Sequence, residues 1–187
     1  MNAPDPVTHS SKTRLLDAAF KVIRSKGYSA TTLDNICAVA CMTKGSFFHH
    51  FSGAEDPALA SVSYLNDVTG GLFASAPYQQ LPDPCERILA YINFCAHIVQ
   101  GDWADVTCLL GTMMQETFDS HPAIRAACRD AIESHAQPLV PTISAYKALY
   151  SPDADWSAES LALYTQAALQ GAFIIAKAQS DCATAVQ

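Results

Sequence analysis

The sequence predicts an all-α fold, with a small three-helix head holding a helix-turn-helix and a larger helical body behind it. Three observations carry this. Apolar residues recur at three- and four-residue spacing from Leu15 almost to the end of the chain, hydroxyl residues, glycines and prolines punctuate the periodic stretches, and no stretch carries a strand signal.

Residues 1–9 read as a flexible arm. From Ser10 or Ser11, the positions Leu15, Leu16, Ala19, Phe20 and Ile23 make one apolar stripe behind a hydroxyl N-cap, and the helix stops at Gly27. The stretch SATTLDNICAVA offers Thr31 or Thr32 as the next cap, with Leu33, Ile36, Cys37 and Ala40 on one face. After the tight break CMT, the third helix begins at TKGSFFHHF.

The body reads as further helices. Pro57 suits a first turn after Glu55 and Asp56, and Leu59, Val62, Leu65 and Leu72 form a stripe that runs to the pair Gly70-Gly71. SAPYQQLPDP connects to a helix with Ile88, Tyr91, Ile92, Cys95 and Ile98 on one face. GDW breaks it, VTCLLGTMMQETF resumes, and the stretch from His121 to Tyr150 bends around Pro138 and Pro141. Ser157 caps the last long helix. No internal repeat is visible.

With 187 residues, 50% hydrophobic and 16% charged, the chain has ample material for a core. No apolar run approaches the roughly 20 residues that span a bilayer, and the polar start lacks a signal-like apolar segment. A cytoplasmic protein with no membrane partner is expected. Seven cysteines, an odd number at wide spacing, read as reduced thiols. The net charge of −7 hides an asymmetry: residues 1–52 carry six basic and three acidic side chains, and the remainder carries five and fifteen. A modestly basic head on an acidic body fits DNA at one end only.

Two short helices across a tight turn, roofed by a longer one, is how a helix-turn-helix is built. In TKGSFFHHF, Phe47, Phe48 and Phe51 include the residues that lock the third helix to the others, while Lys44, Ser46, His49 and His50 point outward. Gly45 lets a phosphate or base edge approach the backbone, and the free amides at that end favour an anion.

The run TRLLDAAFKVIRSKGYSATTLDNICAVACMTKGSFFHHF resembles the head of the TetR/AcrR family of one-component transcriptional regulators. The likeness includes the glycine and aromatic after the first helix, the T-T-L opening of the second, and the K-G-S-aromatic-aromatic-H centre of the third. TCLLGTMMQETFDSHPAIRAAC is similar to a branch that includes electrophile-responsive repressors.

The resemblance implies that Lys44 and His49 contact phosphates, that Ser46 and Thr43 sit near base edges or phosphates, and that Thr32 uses its amide and hydroxyl on the backbone. Gly45, Phe48 and His50 complete the expected DNA surface. Two departures weaken it: Ala54 stands where family members usually have lysine, and Phe48 where tyrosine is common. The chain also ends sooner than many members do, which would shorten the dimer contribution. One such helix covers a few base pairs, so a homodimer on pseudo-palindromic double-stranded operator DNA is expected.

A head at residues 10–53 and a ligand-binding, dimer-forming body at 54–187 follow. In such proteins the small-molecule effector lies among the middle helices. Tyr64, Tyr91, Phe94 and Trp103 are candidate lining residues, as are Phe73, Met113, Met114 and Phe118, with His97, Gln115 and Glu116 as polar fixtures. Core packing is the competing reading for each. Cys108 lies near a cysteine of the resembling branch, so it is either a thiol that electrophiles modify or a packed core residue. Leu161, Tyr164, Ala168, Gly171 and Phe173 of the last helix are expected at the dimer interface.

Zinc on Cys37, Cys41, His49 and His50 is set aside, because Cys37 lies on an apolar stripe and the histidines emerge on the DNA side, and no cofactor is expected. No nucleotide, hydrolase or zinc-protease motif is present, so catalysis is not expected. The function expected is a ligand-responsive regulator, a repressor. The alternative is a small-molecule-binding or thiol-redox helical protein with degenerate DNA binding.

Overall fold

The computed structural model describes residues 10–53, 55–101, 103 and 106–186. The arm expected at 1–9, and the departure at Ala54, lie outside the described residues. The described residues form helices and no strands.

Each head helix starts where a hydroxyl can take an orphan amide. Ser10 accepts from the Thr13 amide at the start of α1 (Ser11–Lys26), which ends at Gly27 with φ 88°, a conformation that favours glycine. Thr32 starts α2 (Leu33–Ala40) in a reciprocal capping box with Asn35. The turn after α2 is made by Cys41 in the left-handed region, φ 53°, with the Met42 amide donating to the Cys37 carbonyl at 2.9 Å. Thr43 then accepts from the Ser46 amide and opens α3 (Lys44–His50).

Phe47 and Phe51 bury against Leu15, Ala19, Ile36 and Cys37, which form the head's core. The Arg14 guanidinium donates to the Ala40 carbonyl at 2.6 Å and holds the end of α2 to α1. Burying an aromatic of this kind stabilises a fold by about 1.5–3 kcal/mol, so Phe47 and Phe51 fix the angle at which α3 leaves the head.

In the body, α4 (Glu55–Ala74) does not pause at Gly70-Gly71 as the sequence suggested. A Cβ at either glycine would meet nothing within 4 Å, and the helix continues through both. Next come a 3-10 turn at Pro77–Gln80 and α5 (Pro84–Ile98), capped by Asp83. The helix α6 (Leu109–Thr117) starts three residues later than expected, with Cys108 as its N-cap. The segment after it, α7 (Pro122–Ala136), is separated from α8 (Val140–Tyr150) by a 3-10 turn that contains Pro138, the bend the prolines predicted. The last long helix is α9 (Ala158–Gln179), capped by Ser157.

Two apolar cores sit behind the head. One joins Ile23 of α1 to Val62 of α4, Leu109 and Met113 of α6, and Ile124 and Cys128 of α7. The other joins Tyr91 and Cys95 of α5 to Leu139 of the 3-10 turn before α8, Ile143 of α8 and Ala162 of α9. Ile92, expected on the buried face of α5, is 51% exposed beside the exposed Leu89, because Tyr91 and Cys95 set the inward direction. Through Leu15 and Ile23, α1 belongs to the head core and to a body core alike.

Candidate nucleic-acid interface and ligand cavity

On α3, Phe47 turns inward and is 2% exposed, while its neighbour Phe48 is 58% exposed. Lys44, Gly45, Phe48 and His49 are all exposed, and Ser46 is half-buried. Thr32 and Thr43 are the caps of α2 and α3, so both hydroxyls already accept backbone amides. Each keeps its hydroxyl proton to donate outward. Lys44 pairs with Asp34 at 2.6 Å, and that carboxylate raises the lysine's pKa through its hydrogen bond and its charge. The pair is exposed, so a phosphate can replace the carboxylate at small cost.

His50 departs from the outward direction expected of it. Its Nε2 lies 2.6 Å from Ser11 Oγ, which ties the end of α3 to the start of α1. Gly45 has no steric duty toward the protein: an added Cβ would meet only Thr43 Oγ1, at 3.8 Å. Of the residues weighed as zinc ligands, Cys37 is buried in the head core, Cys41 is exposed at the turn and His50 is engaged with Ser11.

A cavity of about 320 Å³ lies directly behind the head. Phe20 and Arg24 of α1 form part of its wall, Leu65 and Leu72 come from α4, and Leu109 and Leu110 come from α6. Of the residues singled out above as effector contacts, Phe73 and Cys108 line it. Met113 is fully packed in the α1–α4–α6–α7 core, Tyr64 stacks edge-on against Phe20, and Phe94 packs on Phe73 and Tyr78. Trp103 borders a shallow surface cleft with Glu116 and Lys177, and Phe118 is 60% exposed. Tyr91 lines a second cavity, described below. Helical spacing placed these side chains on helices but could not decide which interhelical gap each one faces.

Sequence reasoning missed Arg24 and His135. Arg24 donates from Nε to the Thr107 carbonyl at 2.8 Å and lies over the Phe20 ring, 5.0 Å from its centre. His135 lines the cavity, and burial lowers its pKa, favouring the neutral imidazole. An arginine and a histidine among helical charges carry no periodic signal that marks them.

The last helix splits the dimer candidates. Leu161 packs inward and Phe173 lines the cavity, whereas Tyr164 and Ala168 are exposed and Gly171 is half-buried. Tyr164, Ala168, Gly171 and the exposed Ile175 form one row along α9.

Residues 15–56 match the model for bacterial regulatory proteins of the tetR family, and residues 84–184 match the LmrA/YxaF-like transcriptional regulator C-terminal domain. The chain belongs to the TetR family. Among TetR-family relatives, it is 23% identical to the uncharacterized HTH-type transcriptional regulator YxaF of Bacillus subtilis over 172 residues, covering 91% of this chain and 87% of that one. It is 26% identical to the transcriptional regulator AcuR of Cereibacter sphaeroides over 176 residues, covering 94% and 79%. Its fold is shared with a TetR-family regulator from Agrobacterium tumefaciens, with TM-score 0.80 at 21% identity, covering 94% and 91%. It is shared equally with the reduced form of NemR from Escherichia coli, with TM-score 0.79 at 19% identity, covering 95% and 92%. A TetR-family head is a DNA-binding helix-turn-helix, and the relatives are transcriptional regulators.

Proposed function

We propose that this TetR-family regulator is a homodimeric repressor whose two α3 helices read the half-sites of a pseudo-palindromic operator, and whose body releases DNA when a small molecule fills its cavity. Residues 10–53 act as the head and 54–187 as the regulatory, dimer-forming body. The observation that carries the reading is that α1 serves both: Leu15 packs in the head core, while Phe20 and Arg24 form a wall of the cavity. A ligand in that cavity touches the same rigid helix that supports α3.

On DNA, Lys44 and His49 contact phosphates, Thr32 and Thr43 donate to the backbone, and Ser46 and Phe48 face the groove. His50 acts by orienting α3 through Ser11. The row Tyr164, Ala168, Gly171 and Ile175 packs against its mate in the dimer, where the small residues permit close approach. The effector favours an arrangement of α1, α4 and α6 in which the two heads no longer match the operator, and it does so only through a difference in affinity for the two states. A hundredfold loss of operator affinity requires about 2.7 kcal/mol of such coupling.

Cys108 gives this regulator a second route to the same outcome. It borders the cavity at the N-cap of α6, so an electrophile entering the cavity meets its thiol. Selection of bound duplexes from a random pool tests the main reading. Recovered sequences should share two inverted half-sites about one helical turn apart, or slightly more. A pool with no dyad-related motif would refute it.

A further inference from the structure

The wall of the cavity behind the head is also the wall of a second one. Phe73, His135 and Asn66 line both, and the second cavity, about 440 Å³, lies farther from the head among α4, α5, α7 and α8. The partition is well defined. The Phe73 and His135 rings meet edge to face at 4.6 Å, and Gln79 donates to the Phe73 carbonyl at 3.1 Å.

The two chambers differ in character. The near one is mainly aliphatic and aromatic, whereas the far one contains the guanidinium of Arg87, one of only five basic side chains in residues 53–187. Arg87 donates from both Nε, at 2.9 Å, and Nη2 to the Leu81 carbonyl, which takes up the inner edge of its fork. Its Nη1 reaches only Thr142 Oγ1, at 3.5 Å. Among the described residues, no carboxylate lies within ion-pair distance of it, although the body carries three acids for every base. Among the described residues, no aspartate or glutamate lines either chamber. The other formal charge among the described lining residues is Arg24, in the near chamber.

A half-buried guanidinium with no counter-ion among the described residues, and with its outer Nη1–Nη2 edge left over after Leu81, is suited to a carboxylate, which that edge can engage through two parallel bonds. Thr142 and Tyr78 add hydroxyl groups on the same chamber. Beyond the partition the lining is mainly apolar, with Arg24 already engaged by the Thr107 carbonyl and the Phe20 ring, which suits a hydrocarbon.

Resting on the reading of the body as the effector-binding half, we propose that its ligand is an amphipathic monocarboxylate, its carboxylate held by Arg87 and its hydrocarbon part laid along Phe73 toward the apolar chamber. His135, neutral and with no hydrogen-bond partner among the described residues, borders the tail and adds no charge to it.

Calorimetric titration of the full chain with octanoate, octanol and octylammonium tests this, since the three share an eight-carbon chain and differ in the polar end. Octanoate should bind one per chain and at least tenfold more tightly than octanol, with octylammonium weakest. Arg87→Met should erase the tenfold advantage of octanoate and leave octanol affinity unchanged, and Arg87→Lys should restore part of it. Equal binding of the three compounds, or an equal loss for octanoate and octanol in Arg87→Met, overturns the proposal. Should Arg87→Met fail to fold, the wild-type ranking and Arg87→Lys decide alone. DNA plays no part in the titration. Octanoate that binds through Arg87 but leaves DNA affinity unchanged would sink the effector reading and spare the carboxylate site.

Discussion

Glu116 on α6 accepts a hydrogen bond from the backbone amide of Ser29 at 2.6 Å, so the body grips the chain between α1 and α2. An added Cβ at Gly27 would stand 2.2 Å from the Glu116 Oε1 atom, so glycine there admits the carboxylate as well as the positive φ. Tyr28 beside it stacks edge to face on His121, at the start of α7, with ring centres 5.3 Å apart. Together with the bond from Arg24 to Thr107, these contacts make α6 a strut between the cavity and the head.

Glu116→Ala should therefore leave the helices intact while loosening the joint. The expected cost is about 0.5–1.5 kcal/mol, because both partners are exposed and water can replace the bond. Amide hydrogen exchange reads it directly: Ser29 should lose protection while amides within α1 and α4 keep theirs.

At Gly45, stability and function should move in opposite directions. Alanine there has room on the protein side and should stabilise α3 by up to about 1 kcal/mol through helix propensity. Its methyl group would stand between the α3 backbone and DNA, so Gly45→Ala should raise the melting temperature and weaken DNA binding at least tenfold. Parallel melting and binding curves check both signs, and a variant that binds DNA as tightly as wild type would remove Gly45 from the interface.

Cys41 pays a conformational cost at φ 53° that glycine would not. Cys41→Gly should stabilise the native turn by about 1 kcal/mol, less whatever glycine gains in the unfolded chain. Denaturant unfolding at unchanged slope measures the net effect.

The cysteines should separate by reactivity. Burial pushes the Cys95 and Cys128 thiols up to about 11, because the charged thiolate is disfavoured away from water. At pH 8 only about one in a thousand of each is thiolate, so iodoacetamide should modify the exposed Cys41 long before either. Above a pH of about 8.5 the unfolded thiols lose protons that the folded ones keep, so these two groups destabilise the fold as pH rises toward 11. Mass spectrometry of the alkylated peptides gives the order.

The head was almost fully legible in the sequence because local chemistry determines it. Ser10, Thr32 and Thr43 mark the caps, Gly27 marks the stop, and Phe47 and Phe51 carry the core. The body was legible as helices but not as a site. The same periodicity that puts Phe118 and Met113 on one helix cannot tell that one is exposed and the other wholly buried. His50 fits an outward pattern by spacing, yet Ser11, 39 residues earlier, turns it back. The partition of Phe73 and His135 joins residues from α4 and α7, a contact that no local pattern encodes.

In the proposed function, α3 grips DNA through its exposed face. Fluorescence anisotropy of the protein on its selected duplex, across a series of salt concentrations, tests it most directly. Wild type should show affinity that falls steeply with salt, and Lys44→Ala should flatten the slope of log affinity against log salt by about 0.9, the loss of one phosphate contact. An unchanged slope in Lys44→Ala, with the variant folded, would contradict the account of α3 as the DNA-gripping helix.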